Sequence, residues 1–388
     1  MLIAAPGTGK TFSLDAAREA WQRSGQRVMG CALSATAAHQ LQAGSGIASS
    51  TIEALRVDLA RGNARLDAAS VLVIDEAGMV GTRSLAALIE TADRAGAKVV
   101  LVGDTRQLPE IDAGGLLRRL EQVHPVIRLD QNRRQQVGWE RRALDAFRRD
   151  DVDAALELFH QHEALVVGPN ADVVREVMVN DWWRHRSAGD RAVMMASRNI
   201  DVDDLNRRAR AHLAGAHQLH GQALIVEHRP YQVGDAVVCL RNNRRRGLRN
   251  GTVGEVVTID HEQRSMLIDT AEGLRRIQAS YLDQGWIRHG YAVTIHKAQG
   301  ITADHGLLLA SDRTYNEAGY VGISRGTRSN RIYAVSDQAH DPEHQPHGRM
   351  APDDRDPFDP VVDALKTSAA KDLATPPVPE LDDGIDLW

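Results

Sequence analysis

Residues 4–11 read Ala-Ala-Pro-Gly-Thr-Gly-Lys-Thr, a glycine-rich turn typical of the strand-to-helix junction in phosphate-binding loops. Backbone N–H groups of such a turn point at phosphate oxygens, and the dipole of the following helix favours their negative charge. We expect Lys10 to reach the β- and γ-phosphates of a nucleotide and the Thr11 hydroxyl to hold Mg²⁺. Ala4 replaces the first glycine of the pattern, but the two glycines nearest the phosphates are present. The predicted nucleotide-binding residues are Pro6, Gly7, Thr8, Gly9, Lys10 and Thr11.

The second motif is a pair of acidic residues that follows a continuous apolar run at residues 71–74. Such a run predicts a strand buried on both faces of a parallel sheet, and ligands meet such sheets at the carboxyl ends of their strands. Asp75 and Glu76 stand at that end. We expect Asp75 to hold Mg²⁺ and Glu76 to polarise an attacking water. The alternative is a solvated pair of acids; the earlier Lys10 motif favours the catalytic interpretation.

Charge is distributed unevenly along the 388 residues, whose formal net charge is −5. Residues 336–388 hold 13 acidic and 4 basic side chains, so the part before them carries a net charge of +4. A mildly basic body is compatible with a nucleic-acid partner. The acidic tail also holds 8 of the 13 prolines, and we predict that it is mostly disordered.

The cysteine content and the hydropathy of the sequence indicate in which cellular compartment the protein is expected. The two cysteines, Cys31 and Cys239, offer neither a disulfide framework nor a zinc spacing, which fits a reducing cytosol. No apolar stretch of membrane-spanning length and no secretory leader is visible in the sequence. We therefore expect a cytoplasmic protein without a membrane partner.

Alternating strand-like and helix-like segments divide the chain into predicted domains. Residues 1–125 and then 126–221 with 286–335 show the α/β alternation of parallel sheets. Residues 222–285 change to short β runs with turn signals, among them an Asn-Gly pair at 250–251. This segment is interpreted as a small β barrel inserted into the second α/β domain.

Four further motifs follow the first two. They are Gly-Asp-Thr-Arg-Gln-Leu-Pro at 103–109, Asn-Arg-Arg-Gln at 132–135, Thr-Ile-His-Lys-Ala-Gln-Gly at 294–300 and Tyr-Val-Gly-Ile-Ser-Arg-Gly at 320–326. In this order the six motifs resemble those of superfamily 1 helicases, in particular the RecD-like branch. The resemblance implies two RecA-like P-loop NTPase domains with ATP between them, an SH3-like insertion in the second, and movement along single-stranded DNA from 5′ to 3′.

The resemblance also implies roles for individual residues. Gln107 would sense the γ-phosphate, Gly300 would contribute to the nucleotide site, and Arg134 and Arg325 would act as arginine fingers. A planar, permanently charged guanidinium suits the charge that spreads during phosphoryl transfer. Arg133 competes with Arg134 for this role, and an exposed ion-pairing side chain is the alternative for any arginine.

Single-stranded DNA would be contacted by residues of several loops. Small hydroxyls and backbone amides bind phosphates without reading the base sequence. The residues implied by the family pattern are Ser34, Thr36, Thr51, Thr294, His296, Lys297, Gln299 and Thr302. Turn or helix-capping roles are the alternative for the hydroxyl residues, and a structural hydrogen bond is the alternative for His296.

The sequences of residues 73–80 and 290–300 resemble the helicase half of TraA-type conjugative relaxases. The nicking domain that precedes that half in the family has no counterpart here, so a separately encoded relaxase or other conjugation or recombination protein is an expected partner. Only three residues precede the phosphate loop, and we expect the adenine-contacting segment to lie upstream. About twenty residues separate Thr51 from Val71, which predicts that a duplex-splitting hairpin is absent or vestigial.

These features predict a monomeric, ATP-dependent single-stranded DNA translocase or helicase that serves conjugative DNA transfer. One alternative is a RecD-like helicase subunit in recombination and repair. Another is a truncated remnant that binds DNA or protein without hydrolysing ATP.

Overall fold

The computed structural model describes residues 1–110, 113–335 and 358–370. Its strands are β1 Leu2–Ala4, β2 Arg27–Ala32, β3 Ser49–Thr51, β4 Ser70–Asp75, β5 Lys98–Gly103, β6 Ile127–Leu129, β7 Leu165–Gly168, β8 Ala192–Ala196, β9 His220–Val226, β10 Arg229–Val233, β11 Ala236–Cys239, β12 Val253–Asp260, β13 Ser265–Thr270, β14 Gly273–Ile277, β15 Ile287–His289, β16 Ala292–Thr294, β17 Ala303–Leu309 and β18 Gly326–Val335. Its α-helices are α1 Lys10–Arg23, α2 Ala35–Ser45, α3 Ile52–Ala60, α4 Thr82–Arg94, α5 Leu116–Val123, α6 Gly138–Arg148, α7 Val152–Gln161, α8 Ala171–Ser187, α9 Asn199–Gly215, α10 Ala279–Leu282, α11 Ile295–Ala298, α12 Asn316–Ile323 and α13 Asp359–Lys366.

The first sheet contains six parallel strands in the order β3-β2-β4-β5-β1-β6. All six residues of β4 are buried, because helices cover both faces of the sheet. Successive side chains of a strand point to opposite faces. Leu72 and Ile74 accordingly pack with α3 and α4, whereas Val71 and Val73 pack with α1 and α2.

Strand β6 corrects one predicted domain boundary. Its residues pair in parallel with β1, so Ile127–Leu129 belongs to the first sheet. The boundary placed after residue 125 is therefore wrong. The strand has only three residues and two of them are exposed, so its sequence carries no buried-strand signal that would assign it to either sheet.

The second sheet contains five parallel strands in the order β16-β8-β17-β18-β7. Helices α8 and α9 pack on one face through Val174, Met178 and Leu205. Helices α6, α7 and α12 pack on the other face through a cluster that includes Phe147 and Phe159. The α/β fold with parallel sheets that the sequence predicts is confirmed.

A β insertion, defined here as residues 220–289, lies in the chain between α9 and β16. It contains the antiparallel sheet β14-β13-β12-β11-β15 and the hairpin of β9 and β10. Tyr231, Val256 and Ile268 belong to its own apolar core. The Asn-Gly pair at 250–251 lies in the connection between β11 and β12, where Gly251 takes a positive φ of 89°.

Helix α13 corrects the interpretation of residues 336–388 as a disordered tail. Val361 and Leu365 lie one helical turn apart and are fully buried in the core shared by α6, α7 and α12. The backbone N–H of Asn316 donates to Thr367 O at 2.9 Å. The proline- and aspartate-rich composition gave no sequence signal for this short amphipathic helix. Residues 336–357 and 371–388 of the predicted tail lie outside the described residues.

Among the described residues, no helix combines the length and apolarity required to cross a bilayer. Both cysteines are buried in apolar surroundings, and burial raises the pKa of Cys239 to about 11. They therefore serve as small core residues rather than reactive thiols.

Candidate active site

The phosphate-binding loop connects β1 to α1 and depends on two glycines with left-handed backbone. Gly7 has a φ of 76° and Gly9 a φ of 86°. A Cβ on Gly7 would lie 2.2 Å from the Cβ of Arg134, so no larger residue fits there. The backbone N–H of Arg133 donates to Gly7 O at 2.8 Å. The 132–135 motif is thus fixed directly against the loop.

An open cleft of about 1090 Å³ lies between the loop and residues that border the second sheet. Twelve of the predicted site residues line this cleft: Pro6, Gly7, Gly9, Lys10, Thr11, Asp75, Glu76, Gln107, Arg134, Gly300, Thr302 and Arg325. Thr8 belongs to the same loop, but its side chain is buried and donates to Ala5 O at 2.8 Å. Residues far apart in sequence therefore converge on one concave site.

Lys10 contacts both acidic residues at the carboxyl end of β4. Its Nζ lies 2.8 Å from Asp75 Oδ1 and 3.0 Å from Glu76 Oε1. Burial alone would lower the pKa of Lys10, but the two carboxylates raise it well above its ordinary value. The ammonium is therefore charged throughout the physiological range, and a phosphate would compete with these carboxylates for it.

The two carboxylates differ in their electrostatic environment. Burial would raise the pKa of Glu76, yet Lys10 and a hydrogen bond from Gln299 Nε2 at 3.2 Å hold it below its ordinary value. Burial raises the pKa of Asp75, and Lys10 offsets this only in part. Glu76 also has a left-handed backbone with a φ of 51°, a conformation that costs free energy and recurs at functional sites.

Two arginines complete the cleft wall. Arg325 is 2% exposed, and burial together with repulsion from Arg134 lowers its pKa to about 9. Its Nε donates to Val321 O at 2.9 Å, while a guanidinium nitrogen of Arg134 donates to Ser324 O at 3.0 Å. Arg133 is exposed and donates to Gln131. Of the two candidates in the 132–135 motif, only Arg134 lines the cleft.

A buried carboxylate supports the turn that carries Arg325, and the sequence reasoning missed it. Glu140 of α6 accepts hydrogen bonds from both the backbone N–H and the Nδ2 of Asn330, each at 2.8 Å. Asn330 in turn accepts from Gly326 N at 2.8 Å. Gln135 Nε2 donates to the carbonyls of Ser324 and Gly326. No motif marks Glu140, since its role depends on strands that are distant in sequence.

Asp104 holds the side chain of Gln107 in position at the cleft. Gln107 Nε2 donates to Asp104 Oδ2 at 3.3 Å, and the Tyr320 hydroxyl donates to the same oxygen at 3.5 Å. Burial raises the pKa of Asp104. The 103–109 motif is thereby connected to the 320–326 motif, and Asp104 is a second residue that sequence reasoning missed.

Several residues predicted to contact DNA cap helices. Ser34, Thr51 and Thr294 accept hydrogen bonds from the backbone N–H groups that begin α2, α3 and α11, respectively. This is the alternative raised from the sequence, although such N-termini also present further N–H groups to anions. His296 and Lys297 are exposed, and His296 Nε2 lies 3.4 Å from the Tyr315 hydroxyl.

A groove of about 1080 Å³ separates α2 and α3 from the β insertion. Its lining residues are Ala35, Ala38, His39, Gln42, Ser49, Ser50, Thr51, Ala54, Asn242, Gly247 and Arg249. Thr36 Oγ1 donates to Asn250 O at 3.1 Å, and His39 Nε2 lies 3.4 Å from Glu272 Oε1. Gln299 and Thr302, predicted as DNA contacts, lie instead at the nucleotide cleft.

The chain is similar to known conjugation proteins and DNA helicases. A family model described as an AAA domain matches residues 1–170. The conjugal transfer protein TraA of Agrobacterium fabrum is 33% identical over 338 residues, which is 86% of this chain and 30% of TraA. The ATP-dependent RecD2 DNA helicase of Deinococcus radiodurans is 29% identical over 359 residues, 88% of this chain and 46% of that protein. The chain thus spans about a third of the TraA length.

The fold is similar to that of solved Pif1 helicases. A Bacteroides Pif1 bound to single-stranded DNA superimposes with a TM-score of 0.55 at 17% identity, covering 85% of this chain and 87% of that one. Identity this low supports the fold alone. Taken with the motifs that line the cleft, the comparisons show that this chain is related to TraA and to the RecD2 DNA helicase.

Proposed function

We propose that this protein is an ATP-dependent single-stranded DNA translocase or helicase. The observation that carries the proposal is the joint cleft, in which Lys10 and Glu76 from the first sheet face Arg325 at the border of the second. The two parallel sheets are proposed to be RecA-like domains, and the β insertion an SH3-like barrel. TraA and RecD2 relatives support this assignment.

The residues of the cleft fit ATP and Mg²⁺. Lys10 already neutralises two carboxylates, and this supports the proposal that its ammonium would meet the phosphate charge of a bound nucleotide. Thr11 and Asp75 offer the oxygen ligands that Mg²⁺ prefers. Mg²⁺ would supply charge neutralisation on the phosphate oxygens. Glu76, ionised by its environment, would accept a proton from the attacking water, while Arg134 and Arg325 would stabilise the charge on the transferring phosphoryl group.

Helix α2 is proposed to couple hydrolysis to DNA. Ala37, Gln40 and Leu41 face the nucleotide cleft, whereas Ala38 and His39 of the same helix face the groove under the β insertion. Gln40 Nε2 also donates to Gly300 O at 3.3 Å, across the cleft. A change in cleft width on ATP binding would therefore move one wall of the groove in which we place the DNA strand.

A conjugative role is proposed on the strength of the TraA similarity, with a relaxase or another conjugation or recombination protein as partner, a cytoplasmic location and a monomeric state. A role in recombination and repair is the alternative that the RecD2 similarity supports. The third hypothesis, a remnant without turnover, makes the opposite prediction for ATP hydrolysis and is tested by the same assay.

The test is ATP hydrolysis by the full chain with and without an oligo-dT strand. We expect turnover that the strand stimulates, and loss of that turnover in Lys10→Ala and Glu76→Gln. Lys98→Ala is the matched control, because Lys98 is an exposed lysine of β5 that lies over the Trp21 ring. A folded wild-type protein without turnover, or variants that keep it, would contradict the proposal.

A further inference from the structure

Three potential metal ligands converge outside the nucleotide cleft. His185 comes from the last turn of α8, Asp190 from the loop before β8, and His305 from β17. One ligand atom from each lies within 4.8 Å of those of the other two. None of the three lines the cleft or takes part in the proposed reaction.

His305 is held in one orientation. It is buried, and its Nδ1 lies 2.7 Å from Ser329 Oγ. Its Nε2 consequently faces Asp190, with Oδ2 of that residue 3.3 Å away. A hydrogen bond to the far nitrogen is the usual way in which proteins orient a metal-binding imidazole. The side chain is thus prepared to offer Nε2 as a ligand.

Asp190 has a second partner that leaves its inward oxygen available. A guanidinium nitrogen of Arg328 lies 2.5 Å from Asp190 Oδ1, the other oxygen of the carboxylate. Arg328 can remain there while Oδ2 binds a cation, as an outer partner that orients the carboxylate. The arginine therefore need not leave when the inward oxygen is used.

His185 supplies the adaptable ligand. Its ring stacks on that of His305 with centroids 3.6 Å apart and an interplanar angle of 17°. Metals bind the neutral form of an imidazole through its unprotonated nitrogen. Ligands of a tetrahedral zinc ion lie about 3.4 Å apart, given bonds of about 2.1 Å. His185 is only half-buried and can turn out of the stack to close that geometry.

We propose that His185, Asp190 and His305 form a binding site for one Zn²⁺ ion. Two imidazoles and a carboxylate are a ligand set typical of zinc, with the fourth position left for water. The ion would connect the end of α8 to β17 and, through Ser329, to β18. Because β18 starts directly after Arg325, the site would brace the strand that follows the cleft.

The experiment titrates Zn²⁺ into the untagged, chelator-treated full chain by calorimetry, with thermal unfolding as a second readout. We expect one saturable site and a rise in Tm with Zn²⁺. His185→Gln and Asp190→Asn should each weaken binding at least about tenfold, in line with the loss of a zinc ligand or its partner. Co²⁺ substitution should give a visible absorption band that the same variants lose.

Two controls locate the site. His261→Gln removes an exposed histidine between β12 and β13 and should leave Zn²⁺ affinity and the Tm shift unchanged. A triple change of His340, His344 and His347, which lie outside the described residues, should do the same. Absence of saturable binding, or binding that survives His185→Gln and Asp190→Asn but is lost in the triple variant, would overturn the proposal.

Discussion

Arg134 and Arg133 are adjacent but occupy different environments. Arg134 lines the cleft and donates to Ser324 O, whereas Arg133 is exposed. We predict that Arg134→Ala lowers the kcat of ATP hydrolysis about 10³- to 10⁵-fold, because the charge on the transferring phosphoryl group loses a cation. Arg133→Ala should change it less than about twofold, as expected of an exposed side chain without a role in the reaction. Equal losses in the two variants, measured by steady-state kinetics, would refute the assignment.

Glu140 makes the stability of the part of the protein that is built around the second sheet sensitive to pH. Burial raises its pKa to about 7, although two hydrogen bonds from Asn330 oppose this. A carboxyl whose folded pKa is raised contributes stability below its unfolded value of 4.5, and that stability is lost as the pH rises through about 7. Glu140→Gln removes this titration. Relative to wild type, its stability should therefore rise by about 3 kcal/mol between pH 4 and pH 8.

Thermal unfolding of both proteins across this pH range measures the effect. The Tm difference should shift in favour of Glu140→Gln as the pH increases. The glutamine oxygen can accept only part of the hydrogen bonding that Asn330 donates to the carboxylate, so the support of the turn that carries Arg325 is weakened. The kcat of the variant should therefore fall, while its KM for ATP changes little. A Tm difference that is constant with pH would show that the carboxyl does not titrate in this range.

At the scale of single elements, the cap of α3 allows the effect of a substitution on folding to be distinguished from its effect on DNA binding. Thr51 caps α3 and lines the groove under the β insertion. Aspartate caps helices at least as well as threonine, so Thr51→Asp should preserve folding. Its negative charge in the groove should nevertheless weaken single-stranded DNA binding about tenfold, measured by fluorescence anisotropy at low salt.

Asn170→Asp is the matched control for this change, because Asn170 caps α8 and lies outside the groove. The control should bind DNA with wild-type affinity. If Thr51→Asp, with an unchanged Tm, also bound DNA normally, the strand would have to follow another surface.

Helix α13 contributes to the core that α6, α7 and α12 form on one face of the second sheet. Leu365 is fully buried, and its side chain packs against Gly319 of α12. We predict that Leu365→Ala lowers the free energy of unfolding by about 2–5 kcal/mol through lost burial and a cavity. Asp363→Ala, an exposed change in the same helix, should alter it by less than about 0.5 kcal/mol. Urea denaturation compares the two, and equal effects would show that α13 does not pack as described.

Across the whole molecule, sequence reasoning succeeds where the chemistry is local. The phosphate loop, the strand before Asp75 and the α/β alternation follow from short patterns, and the structure confirms these elements. It fails where assignment depends on distant partners. Strand β6 belongs to the first sheet only because it pairs with β1, and Glu140 acquires its role only because β18 brings Asn330 beside it.

Motif membership likewise did not determine which side of the cleft a residue faces. Gln299 and His296 belong to the same run, yet Gln299 turns towards Glu76 while His296 is exposed. His296 lies within the short helix α11 and Gln299 directly follows it, and a helix of four residues is too short for a periodic pattern to predict which way each side chain points. Placement within the site therefore required the three-dimensional arrangement.

The central claim is that ATP hydrolysis in the cleft moves the protein along single-stranded DNA. Displacement of streptavidin from a biotin-labelled oligonucleotide measures this movement directly, with the label at either end. We predict ATP-dependent displacement from the 3′ end, as expected for 5′-to-3′ movement, and none with Glu76→Gln. A protein whose ATPase responds to DNA but which displaces streptavidin from neither end would contradict the account.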